Sequence, residues 1–172
     1  MLSSTKSQWV AVYTQSHAER QVLNRLTQQG FEAYLPIVEV KRHWSDRLKL
    51  VQVPLFTSYL FVKIKKNEPI LIRNTQGVVY IVSFRNEIAT ISDNEIESIR
   101  RFIAQKQELF VEETRQLRKG AAVKIIEGPF AGMTGTLVDN CKNGNFAVRI
   151  EAIGLSLVTH IDRLMLEYTP EE

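Results

Sequence analysis

The residue types that most often carry enzyme chemistry are few in this chain of 172 residues, and they lie far apart. There are three histidines, His17, His43 and His160, and one cysteine, Cys141. No histidine has a partner at metal-ligand spacing, and the sequence contains neither C-x-x-C nor H-x-x-x-H. It also contains no G-x-S-x-G, Walker A or G-x-G-x-x-G motif. We therefore predict a protein with no catalytic site, no metal and no cofactor.

A different set of residues has the chemistry of binding. The segment between residues 41 and 49 places several cations around Trp44, and these are Lys41, Arg42, Arg47 and Lys49. Basic residues beside an aromatic ring combine attraction for phosphates with a surface on which bases stack. A plain solvated turn has the same composition, so both interpretations stand.

The charge distribution divides the chain into two parts. Residues 1–107 hold 15 Lys and Arg against 9 Asp and Glu, a net charge of +6, whereas residues 108–172 hold 7 against 10, a net charge of −3. A basic module attracts polyanions over long distances, although a mildly basic solvated surface is equally consistent with these numbers. The asymmetry suggests two modules with different partners.

Composition places the chain among ordinary globular proteins. Hydrophobic residues make up 44% and charged residues 24%, and no apolar run approaches the roughly 18 residues that span a bilayer. The first residues do not resemble a secretory signal, and a single cysteine forms no internal disulfide. We expect a cytoplasmic protein that does not contact a membrane.

Hydrophobic periodicity predicts the elements that must position these residues. Capping boxes at 16–19 and 92–95 predict the starts of two helices, Gly30 ends the first, and Ile96, Ile99 and Ile103 form the buried stripe of the second, which runs to about Gln107. A short helix is predicted at 67–75. Strands are predicted at 9–14, 31–40 with an interruption at Pro36, 59–64, 78–84 and 88–91, and 41–49 is predicted as a polar hairpin tip.

The last third of the chain differs from the rest in its hydrophobic periodicity and its glycine content. Residues 108–118 are charged and lack clean periodicity, which indicates a linker. Four short β-branched runs follow, at 123–126, 135–138, 146–150 and 157–161, and glycines separate them. Short strands at this spacing predict a small all-β barrel.

Two segments, taken in order, resemble the NusG family of transcription elongation factors. The first combines W-V-A-V-Y at 9–13 and its capped helix with P-L-F-T-S-Y-L-F-V at 54–62 and N-T-Q-G-V at 74–78, and it resembles the family's N-terminal domain. The second, K-G-A-A-V-K-I-I-E-G-P-F-A-G-M-T-G-T at 119–136, resembles the KOW motif. The resemblance covers roughly residues 7–168.

Within the family, the sequence of the first segment is closer to those of specialised paralogues. It resembles RfaH, and more closely the antiterminators of capsular polysaccharide loci in Bacteroides-like bacteria. The residues before the tyrosine at 59 are Thr57 and Ser58, where the family usually has Pro-Gly or Pro-Asn. This departure leaves the aromatic residues in place, and the sequence leaves the conformation of the local turn open.

The resemblance implies an α+β fold. Residues 1–107 are expected to form an antiparallel sheet with flanking helices, the NusG N-terminal (NGN) domain. Residues 108–118 are the linker, and residues 119–172 are expected to form a small all-β SH3-like KOW barrel.

The resemblance also implies an elongation or antitermination factor with no catalytic activity, acting as a monomer. In this family a hydrophobic depression of the N-terminal domain docks on the clamp helices of bacterial RNA polymerase and suppresses pausing or termination. The matching positions here are Tyr13, Phe56, Tyr59 and Phe61, to which we add Phe84. Tyr59 and Phe61 share one sheet face by their spacing, and an ordinary core role would account for the same pattern.

Nucleic-acid and KOW contacts are implied in the same way. Positions of the first helix and the loop before it that match contacts to the non-template DNA strand are His17, Arg20, Gln21, Asn24 and Arg25, and the hairpin residues Lys41, Arg42 and Arg47 are placed to reach upstream DNA or nascent RNA. The KOW domain is expected to bind a small-subunit ribosomal protein or the termination factor Rho. Phe130, in its turn, is either a partner contact or a plug of the barrel.

A second function remains open, that of an RNA-binding or ribosome-associated protein with an RRM-like sheet and a KOW barrel. Tyr13, Tyr59 and Phe61 would then stack on bases, with support from Lys63, Lys65 and Lys66. The location of strong basic charge relative to the aromatic face separates the two hypotheses.

Overall fold

The computed structural model describes residues 6–106, 110–113, 120–138 and 145–169. The helices are α1 (Glu19–Gln28), α2 (Pro69–Arg73) and α3 (Asp93–Ala104). The strands are, in chain order, β1 (Gln8–Thr14), β2 (Glu32–Tyr34), β3 (Ile37–Trp44), β4 (Arg47–Pro54), β5 (Tyr59–Ile64), β6 (Val78–Ile81), β7 (Ser83–Phe84), β8 (Glu87–Ile88), β9 (Thr90–Ile91), β10 (Phe110–Glu113), β11 (Ala122–Ile125), β12 (Thr134–Val138), β13 (Asn145–Ile150), β14 (Leu155–His160) and β15 (Leu166–Tyr168).

Strand β1 is the centre of the first sheet, whose order is β2-β5-β1-β6, with β9 also paired to β1. All of these pairings are antiparallel, as the sequence predicts. One face of the sheet packs against α1 and α2, because alternate residues of β1 and β5 are aliphatic. The buried core on this face consists of Val10, Val12, Val22, Leu26, Leu35, Leu60, Val62, Ile64, Ile72 and Ile81.

The sequence predicts the C-terminal end of α1 correctly but not its N-terminal cap. The predicted capping box is wrong, because the helix begins at Glu19 with Ala18 as N-cap and no side-chain cap hydrogen bond. The predicted stop at Gly30 is confirmed. Gly30 has φ +89°, and the N–H groups of Gly30 and Phe31 donate to the carbonyls of Thr27 and Leu26, as in a Schellman motif.

The predicted hairpin is longer than expected. β3 and β4 pair without interruption from Ile37 with Pro54 to Trp44 with Arg47, and only Ser45 and Asp46 form the turn. Most of the predicted polar tip therefore belongs to the strands. The split between β2 and β3 falls at Leu35 and Pro36, where a proline that lacks an N–H interrupts the ladder as predicted.

The predicted strand at 78–84 is divided into β6 and β7. Val82 lies between them, and its N–H donates to the carbonyl of Ala11. β7 and β8 form a two-residue hairpin through Arg85 and Asn86, which both have positive φ, as a type I′ turn requires.

The chain divides into two units, Met1–Ser92 and Asp93–Glu172. This division differs from the expected N-terminal domain of 1–107, because α3 groups with the second unit. Phe102 of α3 is fully buried and its ring lies 4.8 Å from that of Phe130 and 6.4 Å from that of Phe146. Arg101 adds hydrogen bonds from its Nη2 to the carbonyls of the 129–131 turn. Phe102, rather than the predicted Ile103, therefore completes the buried stripe of α3.

The second unit contains a six-stranded antiparallel sheet in the order β10-β14-β13-β12-β11-β15. β10 pairs with β14 from Phe110 with Val158 to Glu113 with Leu155, so part of the predicted linker is a strand. Residues 108–109 and 114–118, the rest of that linker, lie outside the described residues. The short strands predicted after residue 120 are confirmed as β11 to β14.

We expect Gly77→Ala to lower the free energy of unfolding more than Gly30→Ala does. Both glycines have positive φ, +95° and +89°, so alanine is strained at either position, by roughly 1–2 kcal/mol. A Cβ at Gly77 would also lie 2.7 Å from Val22 Cγ2, whereas a Cβ at Gly30 meets nothing within 4 Å. Overpacking should add roughly 1–3 kcal/mol at Gly77 alone. Urea unfolding followed by circular dichroism measures both variants, and equal losses would contradict this account.

Candidate functional site

The sheet face opposite the α1 core is lined by aromatic side chains. The register places Tyr13 beside Tyr59 and Tyr80, Ala11 beside Phe61, and Trp9 beside Lys63. Tyr34 of β2 pairs with Phe61 and lies on the same face. We call this surface the aromatic face, and its members are Trp9, Tyr13, Tyr34, Tyr59, Phe61 and Tyr80.

Three tyrosines on adjacent strands form the exposed end of the aromatic face, and we call Tyr13, Tyr59 and Tyr80 the tyrosine row. The ring of Tyr13 stacks on that of Tyr80, with centroids 4.9 Å apart and an interplanar angle of 16°. Tyr59 meets Tyr13 edge to face at 5.1 Å and 66°. Tyr13 and Tyr59 are half-buried and Tyr80 is exposed. The row is therefore a pre-ordered apolar surface edged by hydroxyl groups.

Burial raises the pKa of Tyr59 to about 12, from an ordinary value of 10.0. Smaller contributions come from the charge of Tyr80, from a side-chain hydrogen bond to Tyr80 and from the charge of Tyr13. All of them favour the neutral phenol over the phenolate. Tyr59 therefore enters any interface as an uncharged hydroxyl.

A buried hydrogen-bond network fixes the backbone directly before Tyr59. Ser58 has φ +64° and is buried, and its N–H donates to Glu19 Oε1 at 2.9 Å. Its carbonyl accepts from the N–H of Thr14 at 2.8 Å. Ser58 is therefore a left-handed residue that is held by α1 on one side and by β1 on the other.

Sequence reasoning missed two residues of this site. They are Glu19, as the acceptor for the N–H of Ser58, and Tyr80, as a member of the tyrosine row. Glu19 was assigned to a capping box, but it shares the buried face of α1 with Val22 and Leu26. An acidic residue on an apolar helical stripe is the signal that pointed to a buried partner. Tyr80 gave no local signal, because only the pairing of β6 with β1 brings it beside Tyr13.

Phe56 and Phe61 are core residues, which corrects their prediction as surface contacts. Their exposed fractions are 1% and 0%, and their rings meet edge to face at 5.9 Å. Phe61 also packs against Tyr34 at 6.4 Å. Both rings are buried, so Phe61 belongs to the covered part of the aromatic face, and neither ring is available to a partner in this structure.

Phe84 is exposed, but the structure does not bring it to the tyrosine row. It lies on β7, two residues beyond Val82, whose N–H bonds to the carbonyl of Ala11. The guanidinium of Arg85 lies over its ring at 5.2 Å. Phe84 belongs to the β7–β8 hairpin, which forms a two-stranded sheet of its own.

The candidate nucleic-acid residues of α1 and its preceding loop divide into two kinds. Arg25 is half-buried, and its Nη1 donates to the carbonyl of Gln76 at 2.8 Å, so it holds the turn before β6. The other four are exposed, and they are His17, Arg20, Gln21 and Asn24.

The hairpin register separates the three basic residues proposed there. Arg42 and Arg47 lie on one face with Trp44, whereas Lys41 lies on the other. Phe130 is also not available as a contact, because it is 1% exposed and packs against Phe102, which makes it a plug of the second unit.

Within 6–106, 110–113, 120–138 and 145–169, no three His, Cys, Asp or Glu side chains form a group that could hold a metal ion. Over the same residues, no helix combines the length and apolarity that crossing a membrane requires.

Comparisons of the sequence and of the fold with known proteins all find members of one family. The family profile described as transcription termination factor nusG matches residues 7–100. The transcription termination/antitermination protein NusG of Halalkalibacterium halodurans is 27% identical over 143 residues, which cover 75% of this chain and 79% of that protein. The NusG of Pasteurella multocida is 22% identical over 180 residues, which cover 97% and 98%. A solved structure of Thermotoga maritima NusG matches 96% of this chain and 98% of its own, with a TM-score of 0.55 and 22% identity, so the fold is shared.

We expect Glu19→Ala to lower the free energy of unfolding by about 1–3 kcal/mol. The substitution leaves the buried N–H of Ser58 without its acceptor, and an unsatisfied buried donor costs an amount of this order. Gln21→Ala, at an exposed position of the same helix, is the matched control and should change stability by less than about 0.5 kcal/mol. Urea unfolding measures both. Equal effects would show that the network does not stabilise the turn.

Stability should fall with rising pH partly through Tyr59. Its folded pKa is raised, so its contribution is complete below pH 10.0 and is lost as the pH rises through about 12, because the unfolded chain ionises first. Tyr59→Phe should make the decline in unfolding free energy above pH 10.0 shallower. Tyr168→Phe removes an exposed hydroxyl outside the row and is the control for losing one tyrosine. An unchanged slope in Tyr59→Phe would contradict the assignment.

Proposed function

The chain belongs to the NusG family of transcription termination and antitermination factors, and from this premise we propose that it binds bacterial RNA polymerase during elongation and suppresses pausing or termination. The proposed contact is between the tyrosine row and the coiled-coil clamp helices of the polymerase. The protein acts in the cytoplasm as a monomer and catalyses no reaction.

The geometry of the tyrosine row is the observation that carries this proposal. Tyr80, Tyr13 and Tyr59 occupy neighbouring positions on three adjacent strands, which span about 10 Å at roughly 4.8 Å per strand. An α-helix with its side chains has a diameter of about 10–12 Å. A rigid row of tyrosines of this width supplies aromatic anchors for a helical tip, and its hydroxyls remain at the wet rim.

The position of basic charge supports a protein partner over RNA at this face. Lys63 is the lysine of β5 that shares the face with Tyr59, but it lies four residues further along, roughly 13 Å away. Its ammonium group lies 5.6 Å from the centre of the Trp9 ring. The cations around Trp44 belong to the separate β3–β4 hairpin. Among the basic residues of β1, β5 and β6, Lys63 alone shares this face, so these three strands place no cation beside the tyrosine row.

Further contacts are proposed for both units. The exposed residues His17, Arg20, Gln21 and Asn24 are available to the non-template DNA strand.

The KOW-like second unit is proposed to recruit a small-subunit ribosomal protein or Rho, and the net charge of −3 over 108–172 supports a basic protein partner. Since Phe130 is buried, the surface offered to that partner has other apolar residues, and among the described ones Ile126, Leu164 and Tyr168 are exposed. The resemblance of residues 54–62 to the antiterminators of capsular polysaccharide loci supports a role in capsular polysaccharide regulation.

The test is binding of the full chain to an isolated clamp-helix fragment of bacterial RNA polymerase, measured by calorimetry. Tyr59→Ala and Tyr80→Ala should each weaken binding at least tenfold, about 1.4 kcal/mol, because each removes an aromatic anchor. Phe84→Ala and Tyr168→Ala remove exposed rings elsewhere and should leave the affinity unchanged. Tyr80 is exposed, so its variant remains informative even if Tyr59→Ala proves unstable.

Two outcomes would contradict the proposal. Equal losses in Tyr80→Ala and Phe84→Ala would move the contact away from the tyrosine row. No clamp binding, together with salt-sensitive binding to single-stranded RNA that Tyr59→Ala abolishes, would favour the RNA-binding function instead.

A further inference from the structure

The β3–β4 hairpin forms a two-stranded sheet of its own among the described residues. Every residue from 41 to 50 is exposed, including Trp44 with an exposed fraction of 65%. A large apolar ring at the end of a solvated hairpin contributes little to folding, since it buries little surface. The exposure of the Trp44 ring therefore indicates a role in binding rather than in the core.

The register sorts the end of the hairpin into two chemically different faces. Directly opposed residues of an antiparallel pair share a face, so Trp44 lies with Arg47, and the next pair on that side is Arg42 with Lys49. We call these four residues the basic face. The other side carries His43 with Leu48 and Lys41 with Leu50. Three cations and the indole therefore lie together, whereas the opposite side is mixed and partly aliphatic.

The charge on the basic face is unbalanced. Arg42 and Lys49 are directly opposed, and like charges in that relation destabilise a hairpin. Among the described residues no ion pair joins Arg42, Arg47 or Lys49 to a carboxylate. Asp46 is the acidic residue of the turn, and it lies beyond the last pair rather than between the cations. An anionic partner would relieve the repulsion.

An open hollow of about 370 Å³ lies at the tip, and residues of both faces line it, namely His43, Trp44, Ser45, Asp46, Arg47 and Leu48. The two pairs of the basic face are two residues apart along each strand, roughly 6.6 Å. A base on the indole can thus be followed by phosphates at Arg47 and then at Arg42 and Lys49.

We propose that the basic face binds single-stranded nucleic acid, with one base stacked on Trp44 and the phosphates held by Arg42, Arg47 and Lys49. An unpaired base offers its ring face to the indole, whereas bases within a duplex are already stacked on their neighbours. The carboxylate of Asp46 repels phosphates at the turn, so the nucleic-acid backbone follows the strands rather than crossing the tip. The site requires no polymerase, and it excludes Lys41, which lies on the other face.

The experiment uses the full chain and labelled oligothymidine and oligouridine of about 15 nucleotides, with binding followed by anisotropy at several salt concentrations. Two pairs of variants compare the faces at matched positions. Trp44→Ala should weaken binding at least about fivefold, the low end of the effect of losing one stacked base, whereas Leu48→Ala on the opposite face should not. Arg42→Ala should lower the magnitude of the salt slope by about 0.7, whereas Lys41→Ala should not.

Tryptophan fluorescence provides a readout that charge alone does not change. The chain has two tryptophans, and Trp9 is 3% exposed. Stacking should therefore quench mainly the emission of Trp44, and oligonucleotide should leave the emission of Trp44→Ala nearly unchanged. Oligodeoxyuridine, which differs from oligouridine in the sugar alone, is compared in the same assay: tighter binding of one of the two favours DNA or RNA as the ligand, and equal binding indicates a site that does not read the sugar.

Equal effects within each matched pair would overturn the proposal, because they would show unspecific attraction to the whole basic half. Absence of binding at low salt would overturn it as well. Since the assay contains no polymerase fragment, its failure is distinct from failure of clamp binding.

Discussion

The pairing of β1 with its neighbours is the constraint on which the first unit depends. Its side chains alternate between an aliphatic core and the aromatic face, so one strand supplies both the stability and the surface. A slip of one residue against β5 would exchange the two faces and bury Tyr59 where Leu60 packs. Burial of Val10 and Val12 against α1 opposes this slip. The core thus determines where the tyrosines lie.

The network around Ser58 transmits that constraint to the half-buried Tyr59. A left-handed residue without glycine is strained, and here the strain is offset by hydrogen bonds to Glu19 and Thr14. The same carboxylate that sequence reasoning assigned to a helix cap instead joins α1 to the start of β5. Tyr59 is thus positioned by a buried polar contact rather than by its own packing alone.

The molecule keeps its aromatic and its basic surfaces apart. In the tyrosine row the pKa of Tyr59 is raised, and the lysine of β5, Lys63, lies four residues along the strand from Tyr59. The β3–β4 hairpin places Arg42, Arg47 and Lys49 around the exposed indole of Trp44. Desolvating a charge at a protein interface is costly, whereas phosphates are bound best by clustered solvated cations. The separation is consistent with two partners of different chemistry.

The sequence by itself determined the antiparallel α+β fold, most strand positions, the stop at Gly30 and the family, because these follow from local periodicity, turn chemistry and ordered motifs. The tertiary structure decided which aromatic residues are exposed: Phe61 is buried, and Tyr80 joins the row through strands distant in sequence. It also placed α3 with the second unit through Phe102, and separated Lys41 from the basic face through the hairpin register. Exposure and register are sums over long-range pairings, and no local pattern contains them.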